Sequence, residues 1–355
     1  MKGLSSSAQA IFDAATQWRK DSHPPRQQAI EETAAAPNRW TEQALDQAID
    51  RWMHRLTVEA LEEWIGDEDQ QSSGTRTVGV VHGDDGPMAG FRDALAVWAL
   101  EFEYVGALPE SSSAILPAFA DAVREKGAEG EIHFAAPETV FERADALIAG
   151  PRQDAEMDLN ETCEEYDIPD VRRLIRSPLY SVGVVDGHES DDEMERLAED
   201  MLLFEGEGRR RLALLWAPSE HSPDAYLESM ARFRGLFPAH EDTPGTLQMQ
   251  QAFLEARDEP HAYAEGLEFL MSRGDPEPQR AGHVRWTEYD NYGDVGSWLA
   301  DHSDDVYAVI ARHHLHDQLP DEWPLRAPGG VHVPPLDDDE GRDTVQFLKE
   351  IAASS

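Results

Sequence analysis

The 355-residue sequence has one cysteine, Cys163, and almost no lysine. A single cysteine excludes an internal disulfide framework and any Cys-rich metal site. Long hydrophobic runs are also missing, since no apolar stretch approaches membrane-spanning length and the N-terminus lacks the hydrophobic core of a signal peptide. We therefore expect a soluble, cytoplasmic protein without a membrane span.

Positive charge is scarce, because 30 Lys and Arg face 71 Asp and Glu and leave a formal net charge of −41. The acids are spread along the chain, which favours adaptation to concentrated salt over an acidic tail or a surface for a basic partner. The only compact basic cluster is the run of arginines at 209–211, too little for a phosphate backbone. The composition thus predicts a halophilic protein that does not bind nucleic acid. Lysine occurs only at Lys2, Lys20, Lys126 and Lys349.

The first part of the chain has a helical pattern. Apolar residues recur at helical spacing between residues 5 and 66, and Thr41 and Thr57 are suited to cap helices. A polar, Gly-containing stretch at 67–75 then has the composition of a linker. These features predict an N-terminal helical segment over residues 1–75.

Strands and helices alternate in the next section. This alternation implies parallel pairing in a doubly wound sheet, with a ligand crevice at the strand ends. We therefore predict a Rossmann-like, cofactor-type domain over residues 76–186. Its strands are predicted at 78–81, 104–108, 131–134, 145–149 and 181–186, and its helices at 88–100 and 113–124.

A second α/β section follows and predicts a catalytic-type domain over residues 187–355 that ends in an amphipathic helix. Gly206 and Gly208 form a flexible elbow between a helix and a buried strand. Together the two sections predict two doubly wound α/β domains with a cleft between them. Helices are predicted at 191–204, 223–233 and 246–256, and strands at 212–217, 267–271, 284–289 and 306–310.

The turn at 82–87 follows the first strand, where ligands often bind. Asp84 and Asp85 can hold a cation, or the backbone N–H groups can bind an anion at the helix N-terminus. Alternatively, it is a tight turn in which Asp85 caps the helix and Pro87 lies in the first helical turn. We favour the tight turn, because two carboxylates would repel a phosphate.

Three other groups of residues are candidates for metal binding, thiol chemistry or ligand binding. His314 and His316 would share one face of a strand, but no complementary motif completes a metal site, so we favour a surface loop and predict no metal. Cys163 lies among acids in a helical pattern, where thiolate formation is disfavoured, which indicates a structural thiol. The arginines at 209–211 can bind a ligand phosphate or carboxylate, or pair with internal acids, and both interpretations stay open.

Several short features occur in a fixed order between about Asn38 and Leu348. In that order they resemble fatty acyl-CoA reductases related to the reductase component of bacterial luminescence systems, in the short stand-alone form of Bacteroidetes-type bacteria. That family falls within the aldehyde dehydrogenase superfamily, and the resemblance implies its α/β fold. The matching residues are Asn38, Trp40, Thr41, Pro87, Gly90, Phe91, Asp93, Leu116, Pro117, Gly150, Gly206, Gly208, Arg210, Pro218, Pro334, Leu336, Gly341, Asp343, Thr344, Phe347 and Leu348.

The resemblance implies an NADPH-dependent reduction of fatty acyl-CoA to aldehyde through a cysteine acyl-enzyme. The family's nucleophilic cysteine would stand just after the second elbow glycine, and Arg209 occupies that position. The family's asparagine for the oxyanion would stand before the turn proline, at Asp85, where a carboxylate repels the developing charge. At both catalytic positions the expected side chain is therefore replaced.

The cofactor positions implied by the resemblance are also altered. Ala107 stands where the family has a lysine that holds the cofactor, while Gly150 is kept. Pro151, which has no N–H to donate, replaces a small hydroxyl residue. Arg210 is assigned to substrate binding. Because the departures fall on functional positions, the chain is identified as a degenerate, inactive member of the family.

Three hypotheses follow from this interpretation. The first is an inactive reductase that keeps an acyl, CoA or nucleotide pocket or partners an active enzyme. The second is a reductase that still oxidises NADPH by an unusual route, with Arg209 or Arg210 polarising the thioester carbonyl. The third is a structural or assembly subunit, as a homo-oligomer or with another protein.

Overall fold

A computed structural model of the chain describes residues 4–66, 76–84, 86–150, 158–177, 179–208, 210–319, 323–337 and 343–354. The chain forms two compact units. Unit 1 comprises Met1–Asn38, Leu45–Ser177 and Pro335–Ser355, and unit 2 comprises Arg39–Ala44 and Pro178–Pro334. The predicted linker at 67–75 lies outside the described residues.

Helices begin the chain, as the apolar spacing predicts: α1 (Ser6–Trp18), α2 (Pro24–Ala34), α3 (Glu42–Arg55) and α4 (Val58–Ile65). The Thr41 and Thr57 hydroxyls accept hydrogen bonds from the N–H groups of Ala44 and Ala60, so both predicted caps are confirmed. None of the helices in the described part of the chain combines the length and apolarity that crossing a bilayer requires.

The first sheet lies in unit 1 and is parallel throughout, with the strand order β3-β2-β1-β4-β5. Its central strand β1 is buried along its whole length, as expected for a parallel sheet covered on both faces. The predicted doubly wound sheet is therefore confirmed. Its elements are β1 (Thr77–Val81), α5 (Phe91–Ala99), β2 (Glu103–Ala107), α6 (Ile115–Glu125), β3 (Ile132–Phe134), α7 (Pro137–Arg143), β4 (Ala146–Ala149), α8 (Leu159–Glu165) and β5 (Arg173–Ile175).

The second sheet lies in unit 2, with the order β12-β11-β6-β7-β10-β9-β8. Only β8 pairs antiparallel to its neighbour among these strands, so the predicted parallel α/β class holds here too. Its elements are β6 (Tyr180–Val184), α9 (Asp191–Leu202), β7 (Leu212–Pro218), α10 (Asp224–Leu236), α11 (Thr243–Ala256), β8 (His261–Tyr263), β9 (Leu270–Arg273), β10 (His283–Tyr289), α12 (Tyr292–Asp301), β11 (Val306–Ala311) and β12 (Leu325–Arg326).

Two elements lie in a different unit from the one predicted for them. The strand predicted at 181–186 was assigned to the first sheet, but β6 pairs with β7 and β11, and β5 instead extends the first sheet beside β4. The C-terminal helix α13 (Thr344–Ala353) was assigned to the second domain. It belongs to unit 1, where it packs against α5 and buries an apolar stripe that includes Phe347 and Leu348.

Candidate functional site

The carboxyl edge of the first sheet brings together two of the predicted cofactor positions. Val81, at the end of β1, is in register with Ala107 of β2 and with Ala149 of β4. The His82 N–H donates to the Ala107 carbonyl at 2.9 Å, and the Gly150 N–H donates to the Val81 carbonyl at 2.9 Å. Ala107 and Gly150 therefore flank the turn that follows β1, and their role in cofactor binding stays a prediction.

Gly150 is required by packing alone. A Cβ atom built at this position would lie 2.7 Å from the Gly83 backbone nitrogen, closer than real Cβ contacts. The turn after β1 thus presses directly on the end of β4, and no side chain fits between them. The glycine is explained without any ligand.

His82 is a buried residue that sequence reasoning overlooked at this edge. Its Nδ1 lies 2.8 Å from the Ala89 carbonyl oxygen and its Nε2 lies 2.7 Å from the Tyr104 hydroxyl. Burial lowers the pKa of His82, so the ring is neutral, and burial raises the pKa of Tyr104. Nδ1–H therefore donates to Ala89 and the Tyr104 hydroxyl donates to Nε2. A histidine directly after a buried strand was the available sequence signal.

Described residues of the turn after β1 line a small cavity. This cavity of only about 10 Å³, roughly room for one water molecule, lies between the turn and the segment after β2. The Ser112 hydroxyl donates to the Pro87 carbonyl at 2.7 Å and ties the two segments together. Helix α5 begins at Phe91 with Gly90 (φ 71°) as its N-cap, so Pro87 does not lie in the first helical turn, as was predicted, while Asp85 lies outside the described residues.

The first turn of α5 also disfavours an anionic ligand. It contains Asp93, whose buried carboxylate accepts hydrogen bonds from Arg176 at 3.1 Å and from Thr344 at 2.5 Å. A carboxylate near a helix N-terminus already satisfies the positive end of the dipole and repels a phosphate. The preference for a tight turn over an anion site is thus consistent with the local charges.

The elbow before β7 is a locked turn, which corrects the prediction of a flexible one. Phe204 (φ 56°, ψ 38°), Glu205 (φ 60°, ψ 22°) and Gly206 (φ 65°) are three consecutive residues in left-handed conformation. This costs about 1–2 kcal/mol for each non-glycine residue. A Cβ on Gly206 would lie 2.8 Å from both the Gly282 nitrogen and the Met201 carbonyl oxygen, so the turn is tightly packed.

A buried ion pair holds this turn, and no local sequence pattern predicts it. The Glu205 carboxylate accepts hydrogen bonds from Arg234 at 3.0 and 3.3 Å and from the Thr243 hydroxyl. All three residues are at most 4% exposed. Removing one partner of such a pair typically costs about 3–5 kcal/mol, because the other charge is left buried. The strained conformation of the elbow is therefore fixed by its surroundings.

The described arginines beside the elbow are engaged within unit 2. The Arg210 guanidinium lies 5.7 Å from the centroid of the Tyr307 ring, and the Arg210 carbonyl accepts from the Ser181 hydroxyl at 2.9 Å. Arg211 donates to the Gln279 carbonyl at 2.7 Å, and burial lowers the pKa of its guanidinium. These partners are an aromatic ring and a carbonyl rather than acids, so both interpretations stay open, and a ligand role for Arg210 stays a prediction.

The two histidines considered as metal ligands do not share a strand face, which corrects that premise. Residues His313–Gln318 form a 3-10 helix. His314 Nε2 lies 2.9 Å from Asp186 Oδ2, whereas the His316 ring contacts His313, with 5.1 Å between their centroids. Within the described ranges, no three or more His, Cys, Asp or Glu side chains are grouped so as to hold a metal ion.

Cys163 is part of the core of unit 1. It lies in α8, as the helical pattern predicts, is 0% exposed and packs in an apolar cluster with residues such as Val105, Phe141 and Ile168. Burial raises the pKa of its thiol. The thiol is therefore neutral and inaccessible in the folded chain.

Three predicted site residues, Asp85, Pro151 and Arg209, lie outside the described residues. Their assignments to the oxyanion, cofactor and nucleophile positions stay predictions. The structure places Ala107 and Gly150 in unit 1 and Arg210 in unit 2. It thus brings the first two together at one sheet edge.

Comparisons with known proteins relate this chain to others by fold. No family model matches it, and no curated protein does. The NAD-dependent benzaldehyde dehydrogenase of Corynebacterium glutamicum is similar in structure, with a TM-score of 0.66, 12% identity, and coverage of 97% of this chain and 83% of that chain. The P. syringae indole-3-acetaldehyde dehydrogenase, solved with NAD+, has a TM-score of 0.66 and 12% identity. The match covers 89% of this chain and 74% of that chain. The Streptococcus pyogenes succinic semialdehyde dehydrogenase, solved with NADP+, has a TM-score of 0.63 and 11% identity. The match covers 91% of this chain and 81% of that chain. The chain therefore has an aldehyde-dehydrogenase-like fold, as the resemblance implies.

Proposed function

We propose that this chain is an acyl-CoA reductase-like protein that has lost the cysteine-dependent reaction and retains binding of an acyl-CoA ligand. The observation that supports the loss is the position of Cys163. It is the only thiol in the sequence, and it is fully buried in the core of unit 1. Because an acyl-enzyme needs an accessible thiolate, the folded chain has no cysteine that can attack a thioester.

The residues kept from the family pattern support the same proposal, because packing explains several of them. Asp93 and Thr344 hydrogen-bond to each other, and Gly150 has no room for a side chain. The Asn38 amide donates to the carbonyls of Thr33 and Ser111 at 2.6 and 2.9 Å. The retained positions thus serve the fold.

The altered positions concern chemistry. In the family pattern, Arg209 and Asp85 replace the nucleophile and the oxyanion donor, and Ala107 and Pro151 replace cofactor contacts. Ala107 is 0% exposed, so it offers no side chain for a nucleotide phosphate. We therefore propose that the family's cofactor, NADPH, is bound weakly or not at all, in a halophilic and cytoplasmic protein.

The direct test is calorimetric titration of the full chain in molar KCl with palmitoyl-CoA and, separately, with NADPH. We expect heat of binding with palmitoyl-CoA, little with NADPH, and no oxidation of NADPH when both are present. A Cys163→Ala variant is the matched control and should behave identically. Oxidation of NADPH dependent on palmitoyl-CoA would contradict the proposal and support the unusual catalytic route.

A gain-of-function variant tests the family assignment itself. In a Cys163→Ala background, Arg209→Cys returns a cysteine to the family's nucleophile position. We expect its thiol to react with iodoacetamide in the folded protein. With palmitoyl-CoA it should form a palmitoyl thioester, with release of CoA, that mass spectrometry detects. Cys163 in the unmodified chain should resist the same reagent. Alkylation without any adduct would argue against descent from a thioester-cleaving enzyme.

A scaffold role is the second candidate, favoured by the contacts of Arg210 with Tyr307 and of Arg211 with Gln279. Arginines engaged in this way are not offered to a ligand. This candidate predicts that neither palmitoyl-CoA nor NADPH gives heat of binding. Sedimentation analysis in molar KCl would then ask whether the chain forms a homo-oligomer.

A further inference from the structure

The second sheet has a topological switch point between β6 and β11. These strands are neighbours, yet the chain leaves β6 toward β7 on one side and leaves β11 toward β12 on the other. In open α/β sheets, connections that diverge in this way open a crevice outside the carboxyl ends of the two strands, where ligands bind. The elbow precedes β7 and so lies at the opposite, amino edge of the same sheet.

Polar side chains from the two loops meet at this switch point. Asp186 follows β6, and Arg312 and His314 follow β11. Arg312 Nη1 lies 3.1 Å from Asp186 Oδ1, and His314 Nε2 lies 2.9 Å from Asp186 Oδ2. Arg312 Nε also donates to Glu193 at 3.1 Å. We call Asp186, Glu193, Arg312 and His314 the switch-point cluster.

The loop that carries the Asp186 carboxylate is held by hydrogen bonds to Glu189. Glu189 accepts hydrogen bonds from the N–H groups of Asp186 and Gly187 at 3.0 and 3.1 Å, and Tyr226 donates to Glu189. Gly187 has φ 80°, and a Cβ there would lie 2.7 Å from His221 Cε1. The loop that carries Asp186 is therefore fixed before any ligand arrives, as binding sites require.

Asp186 is ionised at neutral pH. Burial alone would raise the pKa of its carboxyl, but hydrogen bonds from the His188 N–H, Arg312 and His314 outweigh burial and lower it. An ionised Asp186 can only accept, so His314 Nε2 carries the proton of their hydrogen bond, and Nδ1 is the ring nitrogen left for another group.

Two polar atoms of the cluster have no hydrogen-bond partner within the described part of the chain. Among the residues that the structure describes, none hydrogen-bonds to His314 Nδ1 or to Arg312 Nη2. The His314 side chain is 52% exposed and that of Arg312 is 22% exposed. Two hydrogen-bonding groups attached to one carboxylate match a pair of hydroxyl groups, because each hydroxyl can donate or accept. Three nearby carboxylates, those of Asp186, Glu189 and Glu193, outnumber Arg312 and disfavour an anion.

We propose that the switch-point cluster binds a neutral polyol, such as a sugar, with one hydroxyl hydrogen-bonded to His314 Nδ1 and another accepting from Arg312 Nη2. This site is independent of the proposed acyl-CoA role. It lies at the carboxyl edge of the second sheet, whereas the elbow lies at the amino edge. The cluster would recognise its ligand through two hydroxyl groups of that ligand and not through a charge.

The test uses the full chain in molar KCl with glycerol, D-ribose and D-glucose as probes, observed by saturation-transfer NMR. We expect saturable binding of at least one polyol, together with a shift of the His314 Cε1–H signal. His314→Asn and Arg312→Lys should each weaken binding at least about tenfold, since each loses a charge-assisted or imidazole hydrogen bond.

His302→Asn is the matched control. This histidine is also in unit 2, but its ring stacks on Trp298 at 4.1 Å and its Nδ1 lies 2.8 Å from the Trp298 carbonyl oxygen. Binding should survive this change. The proposal is overturned if no polyol saturates, if His314→Asn binds as tightly as the unmodified chain, or if sulfate and not the polyols shifts the His314 signal. None of these results depends on whether palmitoyl-CoA binds.

Discussion

The Thr344 hydroxyl donates a hydrogen bond to Asp93 Oδ1 at 2.5 Å, although 251 positions separate the two residues. Arg176 Nη2 reaches the same carboxylate oxygen at 3.1 Å and the Thr344 hydroxyl at 2.7 Å. Asp93 and Arg176 are only 8% and 4% exposed. This cluster ties α5, the end of β5 and α13 together, so the last helix completes the core of unit 1.

We expect Arg176→Met to lower the free energy of unfolding by about 3–5 kcal/mol, because it removes one charged partner of a buried ion pair. Thr344→Val should cost less, about 1–2 kcal/mol. Urea unfolding in molar KCl measures both. Arg196→Met is the control, since Arg196 pairs with Asp192 on an exposed helix face. Equal costs for Arg176→Met and Arg196→Met would contradict this account.

Substituting the elbow glycine should destabilise unit 2. Gly206→Ala places a Cβ 2.8 Å from two backbone atoms at φ 65°, so we expect a loss of about 1–3 kcal/mol or more. Gly245→Ala in α11 is the matched change, because a Cβ there meets nothing within 4 Å. It should stabilise the helix by about 0.5–1 kcal/mol. Thermal unfolding compares the two, and a neutral Gly206→Ala would show that the turn is not locked.

His283 should make the protein sensitive to mild acid. Burial, aided by Arg285, lowers its pKa to about 3, and its ring bonds Ser272 and Gln250. Below the unfolded pKa of about 6.5, His283 binds a proton in the unfolded chain but not in the folded chain. The free energy of unfolding therefore decreases as the pH is lowered, by about 2 kcal/mol between about pH 6.5 and about pH 5.

A His283→Gln variant should flatten this dependence between about pH 6.5 and pH 5. Urea unfolding at several pH values measures the slope of the free energy against pH. His54→Gln is the control, because the His54 side chain is 60% exposed. An unchanged slope in His283→Gln would show that other groups cause the acid sensitivity.

Salt should stabilise the whole chain. With a net charge of −41, repulsion among surface carboxylates acts over a Debye length of about 10 Å at 0.1 M salt and only about 3 Å at 1 M. We expect the free energy of unfolding in urea to rise steadily as KCl is added. Sucrose at equal water activity separates screening from solute exclusion. Stability that rises equally with sucrose would count against the halophilic interpretation.

Much of the fold could be predicted, because long parallel strands leave a strong signal. Strands β1, β2 and β7 are continuous apolar or near-apolar runs, and their predicted limits agree within about two residues. β5, β8 and β12 are only three, three and two residues long, too short for any periodicity to appear.

The site was harder to predict, because its determinants are distant in sequence. Glu205 is stable only through Arg234, 29 positions away, and Thr243, 38 positions away, and no local pattern pairs them. The left-handed conformation of Phe204 opposes the preference of its own side chain. The role of His82 could not be predicted locally, because its partner, the Tyr104 hydroxyl, belongs to the next strand, 22 positions away.

The buried network under the elbow also restricts how this sequence can change. Glu205, Arg234 and Thr243 are all buried and hydrogen-bond through the Glu205 carboxylate, so replacing any one alone leaves a charge or a hydroxyl buried without that partner. Mutational paths out of this arrangement must pass through intermediates that fold poorly. The turn is thereby held in place by epistasis, and it would persist in descendants of this protein even if no ligand used it.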